Sequence, residues 1–185
     1  IGLVGSRVVG PTIADDIKSG AVYSIIFSLI VVFLYILIRF RKWQFSLGAV
    51  VALLHDVFFV MGVFSLADGF LPFQLEVDQA FIAAILTVIG YSLNDTVVVF
   101  DRIRENMGSR GKQNSVSVNK SLNQTLSRTF NTSLTTFFVL LVIFLFGGEV
   151  IRGFMFALLL GVLVGTYSSL FIATPVMFDA SDKES

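Results

Sequence analysis

QAFIAAILTVIGYSLNDTVVVF, residues 79–100, is long and apolar enough to cross a bilayer and is interrupted only by Asn94 and Asp95. A spanning helix needs roughly 20 mostly apolar residues at about 1.5 Å of rise each. A buried helix of a water-soluble bundle keeps a wide polar face beside its apolar stripe, and this stretch has none. Four other stretches have the same character. Residues 21–38, 129–148 and 153–178 carry no charge, and residues 46–67 are apolar apart from His55 and Asp56. The expected fold is an all-α membrane protein, a polytopic transmembrane helix bundle. Its five spans are expected at residues 21–38, 46–67, 79–100, 129–148 and 153–175.

Composition agrees. The chain has 185 residues, 55% of them hydrophobic and only 14% charged, against about 25% charged in a soluble domain. There are no cysteines and one histidine, so thiol catalysis, disulfides and imidazole-rich metal sites are not expected. No cofactor or metal is expected. Zero net charge gives no basic field to draw nucleic acid. Ile1 is not an initiator methionine and no signal-peptide pattern opens the chain. The sequence therefore reads as a piece of a longer protein, with residues 1–20 the end of an external domain and its junction.

Orientation follows from the basic residues. Arg39, Arg41 and Lys42, six more in residues 101–128, and Lys183 share one side, while Arg7, Lys18 and Arg152 share the other. The positive-inside rule puts the ten in the cytoplasm and Ile1 outside. Residues 68–78 and 147–152 are then external, residues 101–128 form the cytoplasmic connection, and residues 179–185 are a cytoplasmic tail. Residues 101–106 are expected to continue the third helix into water. Gly108–Gly111 should break it, and Asn119–Leu126 should lead helically into the fourth span.

Small residues let helices approach in lipid. Gly153, Ala157, Gly161, Gly165 and Ser169 recur every fourth position and are expected at a helix contact, Gly161 and Gly165 above all. Gly48, His55 and Gly62, with Gly20, Ser24 and Ser28 on the first span, make shorter stripes.

Asp95 lies about 8 Å inside the end of its span at helical rise. A carboxylate there costs about 2.5–3.5 kcal/mol on insertion scales, so it should face the bundle interior or a water path and take a partner. Arg128, opening the fourth span, is the best partner in the chain. Arg128, Asn131, Thr132, Thr135 and Thr136 share one helical face and, with Asn94, are candidate supporting groups. The two readings of this stripe are a static ion pair and a functional site. His55 and Asp56 sit near the middle of the second span. They either extend a proton relay or are satisfied groups joining polar residues on neighbouring helices, and the second is favoured because no other titratable residue lies a turn away. An aspartyl-protease dyad is disfavoured: Asp56 and Asp95 differ in depth by about 7 Å on ideal helices, and a dyad must share a proton. No glycine-rich phosphate loop occurs.

Residues 90–106, GYSLNDTVVVFDRIREN, closely resemble the signature of the SecF family of protein-export membrane proteins. Val9-Gly-Pro11, Leu54-His-Asp56, Gln124-Thr-Leu-Ser-Arg-Thr129 and Leu145-Phe-Gly-Gly148 match in the expected order. The resemblance covers essentially the whole chain and lacks the family's first span and most of its external domain. It implies membership of the resistance-nodulation-division superfamily and assembly with SecD, each protein supplying half of a pseudo-symmetric bundle in the bacterial inner membrane. It also implies work beside the Sec translocon on a translocating polypeptide, driven by the proton-motive force, with protons as the coupling ion. The family's essential Asp and Arg fall on Asp95 and Arg128. The alternatives are a non-conducting scaffold of the translocon, which would tolerate Asn at position 95, and half of a proton-coupled efflux transporter.

Overall fold

Pro11 supplies the fixed φ and missing N–H that suit a first helical position, and α1 runs Pro11–Phe40 in the computed structural model. The structure describes residues 11–73, 75–107 and 114–182, residues 11–18 and 182 by backbone alone. α2 is Trp43–Ala67, α3 Gln79–Asn106, α4 Ser115–Phe146 and α5 Glu149–Ser168. A π turn at Ser169–Ala173 joins α5 to α6, Thr174–Asp182. Five spans are long and apolar enough to cross a membrane, the last formed by α5, the π turn and α6 together. No strand occurs among the described residues.

Local chemistry sets the boundaries. Arg41 has φ 58, a left-handed conformation that ends α1 and lets α2 start two residues later. Asp78 caps α3 by accepting from the Phe81 N–H at 2.8 Å. Asn114 and Ser117 form a reciprocal capping box, so the polar segment before the fourth span is helical from Ser115, earlier than Asn119. α3 continues past Phe100 to Asn106. The Gly108–Gly111 break, most of the Val9–Pro11 junction and Lys183 lie outside the described residues.

α3 is central, packed against α5, α4 and α2 with a lighter contact to α1. α1 and α4 bury little of themselves, whereas α2, α3 and α5 bury much more. Aromatic clusters close both ends of the bundle. Phe45 packs on Phe40 at 5.0 Å and on Phe100 at 5.1 Å at the end that carries Arg39. Phe64 packs on Phe81 at 4.4 Å at the opposite end. Between these caps the interior turns polar.

The close α3–α5 approach rests on two glycines. A Cβ at Gly161 would run into the Val88 side chain, and one at Gly165 would come within 2.9 Å of the Ser92 Cβ. Gly48 similarly admits the Ala173 carbonyl and Met177. The other small-residue stripes behave differently: a Cβ at Gly20 or Gly62 meets nothing within 4 Å. Those two glycines do not serve packing within this chain, because their faces of α1 and α2 turn away from it.

Candidate functional site

Asp95 is only 3% exposed, and α3 turns it toward α4. There Ser133 Oγ donates to its Oδ2 at 3.2 Å. Thr166 of α5 lies behind, its Oγ1 2.6 Å from Ser133 Oγ and 2.8 Å from the Val162 carbonyl. Thr166 has one proton, so its hydroxyl serves either Ser133 or its own helix. Three helices thus contribute one polar side chain each to a small buried cluster.

Arg128 does not join it. The ion pairs between described residues are Arg39–Asp101, His55–Asp56 and Arg102–Glu105. The expected Asp95–Arg128 contact is not formed, for a geometric reason. Ser133 lies five residues beyond Arg128, and at 3.6 residues per turn the two side chains point about 140° apart. Asp95 faces the Ser133 side of α4, and Arg128 is on the exposed side. Arg128 opens onto a polar groove of about 460 Å³ between the ends of α3 and α4, lined also by Asp101, Glu105 and Gln124.

The other supporting candidates also face outward. Asn94, Asn131, Thr132 and Thr135 are exposed. Thr132 Oγ1 donates to the Arg128 carbonyl at 3.0 Å, and Thr135 Oγ1 donates within its own helix to the Asn131 carbonyl at 3.0 Å or the Thr132 carbonyl at 2.9 Å. Only Thr136, half-buried, reaches a neighbour, accepting from Tyr91 OH at 3.4 Å. A largely exposed, apolar helix therefore presents a strip of one cationic and several polar groups that the described residues do not cover.

Asp56 forms a second buried cluster. Its carboxylate is fully buried and accepts from Ser92 Oγ at 2.6 Å and from Ser168 Oγ at 2.7 Å, both on Oδ2. His55 Nδ1 lies 3.2 Å from Oδ1. Asp56 and His55 thus tie α2 to polar groups on α3 and α5. The two carboxylates use separate hydroxyls and share no hydrogen bond. Among the described residues, no three His, Cys, Asp or Glu side chains gather as a metal ion would need.

Sequence reasoning missed Ser92, Ser133, Thr166 and Ser168. A signal was present: each carries a small hydroxyl on an apolar span, Ser92 one turn before Asp95 and Ser168 beside the Gly161–Gly165–Ser169 stripe.

Three comparisons place this geometry among known proteins. The family model described as protein export membrane protein SecD/SecF, C-terminal, matches residues 3–183. The chain is 59% identical over 178 residues to the protein translocase subunit SecF of Rhodothermus marinus, covering 96% of this chain and 58% of that protein. It is 48% identical over 172 residues to the SecF subunit of Thermodesulfovibrio yellowstonii, covering 91% of this chain and 55% of that one. The chain therefore spans little more than half the length of these relatives. A crystal structure of SecDF in a super-membrane-facing form superposes with a TM-score of 0.80 at 38% identity, covering 95% of this chain and 23% of that one.

Proposed function

Because the chain belongs to the SecD/SecF family of protein export membrane proteins, as its C-terminal membrane part, we propose that it serves a SecF-type subunit of a protein translocase, a transport component and not an enzyme. It works with SecD beside the Sec translocon in the bacterial inner membrane and helps move a translocating polypeptide outward. Protons moving down their electrochemical gradient drive it. The arrangement of ten basic residues against three favours the C-terminus inside.

The single observation that carries this reading is a contrast between two charged residues toward the same end of the bundle. Asp95 is buried with a hydroxyl partner and no ion pair, while Arg128 and the polar strip of α4 face out of the chain. From the polar groove at Arg128 the strip runs into the span through Asn131, Thr132 and Thr135. Uncovered polar side chains facing lipid are costly, so the strip calls for a polar partner surface, and SecD supplies it. The exposed apolar side chains of α1, such as Phe27 and Leu34, suit lipid.

Asp95 is the proton carrier. Arg128 keeps its proton at all relevant pH and acts as a fixed charge whose distance from Asp95 alters the proton's hold. The membrane potential contributes about 2.3 kcal/mol per charge per 100 mV, a bias of roughly 50-fold at 1.4 kcal/mol per tenfold. The test is translocation into inverted vesicles with and without an imposed proton gradient. Asp95→Asn keeps volume and hydrogen bonding but cannot titrate. The variant should assemble with SecD and lose the gradient-dependent increment while keeping ATP-driven export. An Asn variant that retains the full increment would make the subunit a scaffold.

A further inference from the structure

We infer that His55 and Asp56 form a second proton-binding site, separate from Asp95, whose occupancy sets how tightly α5 is held to α2. This inference rests on the reading that the protein handles protons, and it assigns a role to a buried acid that the Asp95 site does not use.

The geometry satisfies both protonation states. Ionised Asp56 receives hydrogen bonds from Ser92 and Ser168 on Oδ2 at 2.6 and 2.7 Å, and from His55 Nδ1–H on Oδ1 at 3.2 Å. Ser168 has an alternative, because its Oγ also lies 3.2 Å from the Gly165 carbonyl of its own helix. When Asp56 is neutral, its O–H points to His55 Nδ1, Ser92 keeps Oδ2, and Ser168 turns its single proton to Gly165. Neither state strands a donor. A static joint needs only one complete hydrogen-bond set.

His55 is the entry. Its side chain is 35% exposed and that of Asp56 is 0% exposed. A proton binds His55 Nε2, the Nδ1 proton passes to Asp56 Oδ1, and the ring is left neutral as the other tautomer. One N–H bond forms, one breaks and one O–H bond forms, so the pair gains a single proton. Release runs the same steps in reverse. Among the described residues no Lys or Arg pairs with Asp56, whose side-chain partners are His55, Ser92 and Ser168. On α3 the titratable groups nearest Ser92 are Tyr91, whose OH turns to Thr136 of α4, and Asp95, one turn on; on α5 it is Tyr167, whose ring stands 6.4 Å from His55. α1 carries no charged residue between Ser19 and Ile38.

The mechanical consequence lies in Ser168. Hydrogen bonds to a charged acceptor are roughly twice as strong as neutral ones, so protonation weakens the two bonds that draw α3 and α5 onto α2. Ser168 immediately precedes the π turn Ser169–Ala173, a helix irregularity of the kind often found at functional sites. Beyond it Ala173 packs against Gly48 of α2. Protonation thus frees α5 from α2 at Ser168 while the Gly48 contact holds.

Infrared difference spectroscopy on the full-length protein assembled with SecD in bilayers reads this directly. Cycling the pH should show carboxylic C=O bands that appear and vanish. Asp56→Asn should remove one band and leave another, and Asp95→Asn should do the converse. Loss of the Asp95 band alone in that second variant keeps the two readings separable. Ser168→Ala should shift the Asp56 band, because its carbonyl loses a donor, and His55→Phe should slow its appearance at least tenfold. If Asp56→Asn fails to assemble, the Ser168→Ala shift decides. A spectrum in which neither Asp56→Asn nor Ser168→Ala alters any titrating band overturns the site.

Discussion

Ser133 is where the polar chemistry of α4 turns inward. Among the described residues it is the one hydroxyl given to Asp95, and it links to Thr166 of α5. Ser133→Ala removes that donor from a buried carboxyl group, a loss that costs about 1–3 kcal/mol when no replacement is available. The expected outcome is a folded protein whose gradient-dependent export falls severalfold, with Ser133→Thr restoring it. Arg128 differs in kind, because in the proposed mechanism it acts through its charge and makes no bond to Asp95. Arg128→Lys keeps the charge but not the planar fork and should retain part of the gradient-dependent increment in vesicle translocation. Arg128→Gln should abolish it. Equal loss in both variants would mean that the fork, not the charge, matters.

The α3–α5 pair carries the bundle at the scale of elements. Val88 and Ser92 sit in the spaces that Gly161 and Gly165 leave. Filling such a space usually costs about 1–3 kcal/mol, and the branched, fully buried Val88 has little room to yield. Gly161→Ala should lower the melting temperature of the purified protein in detergent, and adding Val88→Ala should recover most of the loss. Additive losses in the double variant would place the strain elsewhere. Replacing both glycines by Leu should prevent folding of the chain itself, since the contact is internal. The glycine stripe was legible from its spacing alone. Its partner face on α3 was not, because nothing in the spacing of one helix states which neighbour it meets.

At the scale of the whole molecule, the described residues leave two kinds of surface uncovered. One is apolar, along α1 and the outer side of α4. The other is the strip of Arg128, Asn131, Thr132 and Thr135. If SecD covers that strip, a cysteine at Thr132 should cross-link to cysteines on facing SecD spans, whereas one at Phe27 should not. The positive-inside partition of the basic residues makes a testable prediction of sidedness. A cysteine at Ser185 should be shielded from an impermeant thiol reagent in intact cells and one at Asp68 should react. The reverse labelling would invert the orientation.

Span number, helix class and membrane residence were decided by the sequence alone, because hydropathy and length are local quantities that a stretch such as residues 79–100 carries without reference to its neighbours. The cost of a buried carboxylate also marked Asp95 and Asp56 before any fold was known. What only the tertiary structure decided is the rotation of each helix about its own axis. That rotation is set by close packing, with Gly161 against Val88 and Gly48 against Ala173. It turns Ser133 and not Arg128 toward Asp95, and it brings Ser92 and Ser168 from distant parts of the chain onto one oxygen of Asp56. A pairing between spans depends on the angle of both helices at once, and no one-dimensional spacing contains it.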